Sequence, residues 1–404
     1  MKEKKQKQKI LFICQNFWPE NFRSTDVVNN LIKAGNYVEV LTSNPNYPEG
    51  KIYKGYRWFH FKTHRYQNKF NIHRVPTIPR GKSSYFLILL NYLGFILFGI
   101  FFGLFKLRHK KFDIILVFAS SPIFQILVGY AFKFTKKIRL ITWVQDLWPE
   151  NLEALKIINN KFILRVISFF TTLNYNLNDI LIAQSQSFQK ILKRRTSKKV
   201  FFVPNFAEDF ETKQIKKNKS NKFIIIYAGN IGKAQKLITL IKAAKKLNKN
   251  KRLFIKIFGD GVELKELKEY QIKNNITNVK FYGKVSKNKI YTEYQNANAL
   301  YLSLAKNKFL NYTIPAKLQT YFSIKKAIIA SGEGEMEKII NKAKVGYCSK
   351  PEDVNSLYKN IKKILSCDKR KLKIFEDSSK IFFNKNFTNK IICNKLNKII
   401  NNQI

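Results

Sequence analysis

Carboxylates are scarce in this sequence. Its 404 residues hold 26 Asp and Glu against 75 Lys and Arg, a net charge of +49. A field of that sign draws anions of any kind: nucleotide phosphates, nucleic acid or an acidic bilayer face. The chain is also crowded with Lys, Asn, Ile and Phe, as AT-rich coding produces, so only the location of charge is informative. The lysines are spread over linkers and helix surfaces, and no nucleic-acid motif interleaves them with aromatics. No nucleic-acid partner is expected. Cysteine is nearly absent too. Cys14, Cys348, Cys367 and Cys393 form no Cys-x-x-Cys pair, which argues against a zinc site and suits a reducing compartment. His60 and His64 stand four apart, but no Cys, Asp or Glu cluster accompanies them, so no metal is expected. With 16 Gly and 10 Pro, collagen-like and disordered classes are excluded. Only ILFIC separates the basic start, MKEKKQKQKI, from Gln15, which is too short for a secretory apolar region.

What is present is core material: 45% hydrophobic residues, 14% aromatic. The length exceeds one typical core and predicts two domains. Apolar runs fitting buried parallel strands lie at 10–14, 37–42, 114–118, 138–144, 180–183 and 200–203, with helical stretches between them, including 25–33 before Gly35. Residues 211–222, ETKQIKKNKSNK, are polar throughout and read as a linker. The alternation then restarts. Strands are expected at 223–228, 253–258, 278–282, 299–303, 326–330 and 346–348. Helices are expected at about 235–248, 262–274, 286–296, 314–324, 334–343 and 352–366, and the last thirty residues look helical. The fold class expected is α/β, two tandem doubly wound domains with a cleft between them. Their bounds are 1–210 and 223–380, with 381–404 as a terminal helix.

Residues 83–105, SSYFLILLNYLGFILFGIFFGLF, carry no charge and are long enough to cross a bilayer. Arg80 and Lys82 precede them; Lys106, Arg108, Lys110 and Lys111 follow. A crossing would place strands of one sheet on opposite sides of a membrane, and basic flanks at both ends lack the asymmetry of a span. A helix or helical hairpin embedded in one leaflet is the preferred expectation, ahead of a span or a buried helix. Gly99 and Gly103 form a G-x-x-x-G, cheap evidence of dimerisation in so apolar a run.

Chemistry is expected in the loops after the strands. After the first strand come Asn21, Arg23 and Ser24; Ser24 or Thr25 is placed to cap the next helix and Arg23 to hold a phosphate. Asn46 and Tyr47 follow the second strand. Ala119–Pro122 opens another helix. Gln145 and Asp146 end the strand 138–144, with Asp146 placed as a general base, a hydroxyl binder or a buried cap. In the second half, Gly229, Asn230, Gly232, Lys233 and Gln235 close the first strand. There glycines permit close backbone approach, and the next helix start offers amides to a diphosphate. Gly259, Asp260 and Gly261 form a further turn. Pro315 opens a helix carrying Lys317 and Gln319, and Glu335 opens another.

Together, FWPENFRSTD, SNPNYPEGKIYKGY, VQDLWPE, VPNFAE, YAGNIGKAQ, FGDG, TIPAKLQTY and the late GE resemble glycosyltransferase family 4, of two-Rossmann-domain build. The likeness is closest to its bacterial surface-polysaccharide subfamily, which includes L-fucosamine transferases. The motifs run in one order over nearly the whole chain. The resemblance implies retaining transfer from a nucleotide-sugar, UDP-linked, without an essential metal or other cofactor. Donor binding is implied for the second domain, a lipid-linked glycan acceptor for the first, and a return of the terminal helix, 381–404, to pack on the first domain. The catalytic residues expected are Asp146, Arg23 and Lys233. Those for the donor are Gly229, Asn230, Gly232, Lys233, Gln235, Gly259, Asp260, Gly261, Lys317, Gln319 and Glu335. Those for the acceptor are Asn21, Ser24, Asn46, Tyr47 and Gln145. The family's glycine-rich first loop is replaced by NFRSTD. Its phosphate-binding Arg and Lys fall on Asn230 and Gln235, leaving Lys233 or Lys317 as substitutes. Its Glu-x7-Glu pair falls on Tyr312 and Thr320. The expected place is the inner face of the cytoplasmic membrane, bound peripherally to its anionic surface. A non-catalytic scaffold and a nucleotide-sugar epimerase are the alternatives.

Overall fold

The computed structural model describes residues 7–82, 84–207 and 221–403. The chain divides into two compact units, Met1–Pro204 with Asn389–Ile404, and Asn205–Thr388. Most of the 211–222 stretch read as a linker lies outside the described residues.

The first unit runs β1 (Lys9–Ile13), α1 (Ser24–Lys33), β2 (Tyr37–Ser43), β3 (Lys62–Tyr66), β4 (Phe70–Val75), α2 (Tyr85–Leu107), β5 (Ile114–Ala119), α3 (Ile126–Lys136), β6 (Arg139–Val144), α4 (Glu150–Ala154), α5 (Lys161–Asn176), β7 (Ile180–Ala183), α6 (Gln186–Arg195) and β8 (Lys199–Phe202). The sheet order is β3-β4-β2-β1-β5-β6-β7-β8. Every pair is parallel except β3 with β4. β5 is buried along its whole length, which is why its sequence is a continuous apolar run. The β3–β4 hairpin escapes that signal. β3 is a polar edge strand, and β4 carries His73 and Arg74 inside. His73 is held by the Glu39 carboxylate, 2.7 Å from its Nε2.

The second unit runs β9 (Phe223–Ala228), α7 (Ile238–Lys246), β10 (Leu253–Phe258), α8 (Leu264–Lys273), β11 (Val279–Gly283), α9 (Lys287–Asn296), β12 (Ala299–Ser303), α10 (Ala316–Ile324), β13 (Ala327–Ser331), α11 (Glu335–Ala343), β14 (Gly346–Ser349), α12 (Val354–Leu365) and α13 (Lys369–Asn386). Its sheet, β11-β10-β9-β12-β13-β14, is parallel throughout. Ile225, Tyr227, Leu240, Ile255, Tyr301 and Ile361 meet in its core. The helix expected from 235 begins at Ile238, because a turn from Gln235 to Gly232 precedes it.

The last helix, α14 (Asn389–Ile400), belongs to the first unit. Asn36 Nδ2 donates to Asn397 Oδ1, and Arg139 Nη2 donates to the Ile400 carbonyl, at 3.0 and 2.6 Å.

α2 is one unbroken helix of 23 residues, not a hairpin, capped by Ser84. It is long and apolar enough to cross a membrane by length and composition. It packs on α3, β2 and β4 within the first unit. Its buried side is Asn91, Gly94, Phe95, Ile96, Gly99, Gly103 and Leu107. A Cβ at Gly99 would stand 3.1 Å from Val128, and one at Gly103 2.9 Å from Leu41. The G-x-x-x-G thus packs α2 onto its own domain, where only hydrogen fits, and is not a free dimerisation seam.

Candidate active site

Strand order reverses beside β1, flanked by β2 and β5, and beside β9, flanked by β10 and β12. Ligands of open parallel sheets bind outside the carboxyl ends at such points. The motif loops lie there in each unit. The loops after β1, β2, β5 and β6 each carry one cis peptide bond: Trp18–Pro19, Tyr47–Pro48, Ser121–Pro122 and Trp148–Pro149.

In the first unit, Glu20 organises two of these loops. Its Oε1 accepts from the backbone amides of Asn46 and Tyr47 at 2.8 and 2.7 Å. Its Oε2 accepts from Phe17 N and Asn16 Nδ2. Burial pushes the carboxyl above its ordinary value, and these donors pull it back. Arg74 lies beneath, fully buried, donating to the carbonyls of Ser43 and Trp18. Ser24 and Thr25 do not cap α1. The cap position is Arg23, and the Ser24 hydroxyl is drawn 2.9 Å to the Asn16 carbonyl. Asn21 is exposed and Arg23 half-buried, both on this loop.

Asp146 is 8% exposed and surrounded by donors. Ser121 Oγ and Asn151 Nδ2 donate to Oδ2, and Leu147 N donates to Oδ1. Trp148 Nε1 donates to Ser121 Oγ at 3.1 Å. Burial raises the Asp146 carboxyl, and the Ser121 and Asn151 bonds lower it again. The geometry therefore joins the loops after β5 and β6 through one carboxylate. Gln145 beside it is half-buried, and its carbonyl accepts from Gln184 Nε2.

Asn91 and Tyr92, which the sequence did not single out, and Arg80, noted there only as a basic flank, complete this end of the sheet. Asn91, a buried polar residue of α2, donates to Ile78 O at 2.6 Å and Asn46 Oδ1 at 3.3 Å, and accepts from Gln15 Nε2 at 2.7 Å. Tyr92 packs its ring 6.4 Å from Trp148, and its phenol is raised by burial, lowered by the Arg80 charge and raised by Asp146. Arg80 stacks 4.9 Å from the Tyr47 ring centroid. An uncharged asparagine within an apolar run was the available signal for Asn91.

In the second unit, Lys317 is the central cation. Its Nζ donates to the Tyr227 hydroxyl at 2.5 Å and sits 4.0 Å from that ring's centroid. Tyr227 in turn donates to Asn230 O, which ties the lysine to the glycine loop. Gly229, at φ +141°, leaves the space: a Cβ there would stand 2.5 Å from Lys317 Nζ. Burial alone pushes Lys317 from 10.5 down to about 7. Among the described residues no carboxylate pairs with it. Gly259 is fixed by close approach as well, since a Cβ would meet Gly229 O at 1.9 Å. The loops 229–231 and 259–261 are therefore stitched together, with Ile231 N donating to Asp260 O at 2.8 Å.

Gln235 Oε1 accepts from Gly232 N at 3.2 Å and Asn230 Nδ2 at 3.3 Å, so it shapes the loop. The Gly232 amide expected to face a diphosphate is engaged by that side chain, and α7 starts too late to present its first amides beside it. Lys233 is exposed on the loop. Asp260 Oδ1 accepts from Gly261 N. Gln319 is buried and donates to Asn205 O at 2.8 Å. Glu335 is buried in the first turn of α11. Tyr312 lies in a short 3-10 turn, and the Thr320 hydroxyl bonds back to Ala316 O.

The first unit also bears a broad apolar surface. Phe86, Leu89, Leu93, Leu97, Phe101 and Phe105 form an exposed stripe along α2. Phe162, Val166, Phe169, Phe170 and Leu173 are exposed on α5. Both helices pack against the same 3-10 turn, Ile123–Gln125.

Residues 208–380 match the family model described as Glycosyl transferases group 1. The chain is 23% identical over 385 residues to WcaI of Escherichia coli K12, named as a colanic acid biosynthesis glycosyl transferase, covering 88% of this chain and 92% of that one. Its fold is similar to that of sucrose-phosphate synthase from Thermosynechococcus elongatus, at TM-score 0.70 and 14% identity, over 98% of this chain and 99% of that one. It is also similar to HepE of Anabaena, crystallised with UDP, at TM-score 0.69 and 13% identity, over 98% and 100% of the two chains. Residues 208–380, most of the second unit, thus carry a group 1 glycosyl transferase domain, and the chain as a whole has the two-Rossmann-domain fold of these structures.

Proposed function

We propose that this enzyme transfers a sugar, with retention, from a UDP-sugar to a lipid-linked glycan in surface-polysaccharide assembly at the inner face of the cytoplasmic membrane. The observation that carries the donor reading is Lys317: a half-buried ammonium without a carboxylate partner among the described residues, held against a glycine loop. A diphosphate at that loop supplies the missing negative charge and draws the proton back onto the lysine. Lys233 adds a second, mobile cation, and Glu335 is assigned to donor-sugar hydroxyls. HepE, of similar fold, holds UDP. WcaI, similar over most of both chains, is named for colanic acid biosynthesis. An N-acetylated amino sugar such as L-N-acetylfucosamine is the donor sugar proposed.

In the reaction, the bond from the sugar's anomeric carbon to the diphosphate breaks, and a bond from the acceptor oxygen to that carbon forms. The diphosphate leaves with the electron pair of the broken bond, and its departing oxygen takes the proton that the acceptor hydroxyl loses. Lys317 and Lys233 stabilise that leaving charge. Arg23 is assigned to a phosphate, and Asp146 acts on the acceptor side. The Asp146–Ser121 pair presents an acceptor to the incoming hydroxyl and fixes its direction. Glu20 keeps the Asn46–Tyr47 backbone in place for the glycan. The α2 and α5 faces, with basic residues at both ends of α2, suit an anionic bilayer surface, α2 lying within one leaflet.

Thermal shift of the full chain with UDP, GDP, dTDP and their sugars tests the donor reading. UDP and one UDP-sugar are expected to raise Tm by several degrees. No shift with any nucleotide would remove it.

A further inference from the structure

We infer that Arg80 is the site for the phosphate that joins the acceptor glycan to its lipid, with the lipid chain running along the exposed stripe of α2. The inference rests on the proposed lipid-linked acceptor. Arg80 lies five residues before α2. Its backbone amide donates to Asn46 Oδ1 at 3.3 Å, and its guanidinium is stacked at 4.9 Å on Tyr47. The ring contact holds the guanidinium beside Tyr47 without using its N–H donors. Among the described residues no hydrogen bond or ion pair uses that guanidinium. It is half-buried, unlike the solvated lysines that make up most of the charge. Its field reaches the half-buried Tyr92 phenol, which also feels Asp146. An unpaired arginine thus sits within electrostatic reach of the carboxylate proposed to meet the acceptor hydroxyl.

The apolar stripe begins close to this cation. Phe86, Leu89, Leu93 and Leu97 are exposed in succession on one face of α2. Tyr92, between Leu89 and Leu93 in sequence, turns the other way and packs on Trp148. One stretch of helix therefore offers lipid contacts outward and site contacts inward. A ligand with an anionic phosphate between a glycan and a prenyl chain matches that order: sugar toward Asp146, phosphate on Arg80, chain along the stripe. A bidentate grip on phosphate is what an arginine at this place does better than a lysine.

The test uses the full chain with UDP at saturation, so that the donor loop is filled. Calorimetric titrations are made with farnesyl diphosphate, farnesol and inorganic pyrophosphate. Farnesyl diphosphate is expected to bind at least tenfold more tightly than either of the others. Arg80→Gln is expected to reduce it to the level of farnesol, with UDP affinity and Tm unchanged, and Arg80→Lys to restore part of the loss. Unchanged farnesyl diphosphate affinity in Arg80→Gln overturns the assignment. So does pyrophosphate binding as tightly as the lipid diphosphate, which marks a plain anion site. Co-sedimentation with phosphatidylglycerol vesicles is expected to be equal for both proteins; a matching loss there assigns Arg80 to bulk headgroups instead. Failure of UDP to bind the native chain is a separate result that strikes the donor reading.

Discussion

Lys317 Nζ lies 2.5 Å from the Tyr227 hydroxyl, on the floor of a loop whose Gly229 has no side chain to exclude it. A cation is thereby partly desolvated before any anion arrives. Its pKa falls from 10.5 to about 7, so the folded chain binds this proton less tightly than the unfolded chain. The burial penalty is complete below pH 7 and is relieved as pH rises from 7 to 10.5. Lys317→Met is therefore expected to be more stable than the parent at pH 6, by on the order of 2 kcal/mol. The gap narrows toward pH 10. Chemical denaturation across that range checks it; a gap that widens with pH contradicts the argument.

The same lysine predicts proton-linked donor binding. UDP restores the ammonium, so binding takes up a proton above pH 7, and affinity declines as pH rises further. Calorimetry of UDP binding at pH 8 in two buffers of different ionisation enthalpy reads the uptake directly. Lys317→Met is expected to weaken UDP about tenfold and abolish the buffer dependence.

Asp146 gives a pH dependence on the acceptor side. Its carboxyl is raised above 3.8 by burial and is needed ionised to accept from the acceptor hydroxyl. The transfer rate is expected to fall on acidification with a midpoint above that of an ordinary aspartate. Asp146→Asn is expected to lower kcat about a hundredfold while UDP affinity stays unchanged. A loss of UDP binding instead would assign Asp146 to the donor.

Glu20 is a structural prediction with a functional readout. Glu20→Ala strands the buried amides of Asn46, Tyr47 and Phe17, at a cost of on the order of 3 kcal/mol. Glu20→Gln retains part of the acceptor set and is expected to lose less stability. In Glu20→Gln the KM for acceptor is expected to rise with donor KM constant.

The two faces of α2 separate packing from surface. Gly103→Leu overfills the contact with Leu41 and Phe132 and is expected to destabilise by about 2 kcal/mol. Phe101, 74% exposed, touches little of its own domain. Phe101→Asp is expected to leave Tm within two degrees and to reduce sedimentation with anionic vesicles severalfold. Unaltered vesicle binding in Phe101→Asp together with Leu97→Asp contradicts the membrane-facing assignment.

Much of the fold was legible because buried parallel strands must be apolar on both faces. β5, β9 and β13 are continuous runs for that reason. β4 was hidden because His73 and Arg74 are buried by pairing, and pairing partners at Glu39 and Ser43 leave no local trace. α2 showed its length but not its sidedness. Both faces are apolar, so burial is marked only by Asn91 and by the glycines that admit Leu41 and Val128. The glycine loops and Lys317 were readable from their motifs. Glu20 stood in a quoted motif, but its work is done on amides 26 and 27 residues away. The Gly232 amide is engaged by the Gln235 side chain, and the Ser24 hydroxyl bonds the Asn16 carbonyl instead of capping α1; neither choice shows in the local sequence.

The measurement that tests the account most directly is label transfer from a panel of radiolabelled UDP-sugars, with bacterial membranes as acceptor. The account predicts organic-extractable label with one UDP-sugar, reduced strongly in Asp146→Asn and Lys317→Met. Interconversion of the UDP-sugar without label in lipid, or equal label with both variants, would contradict it.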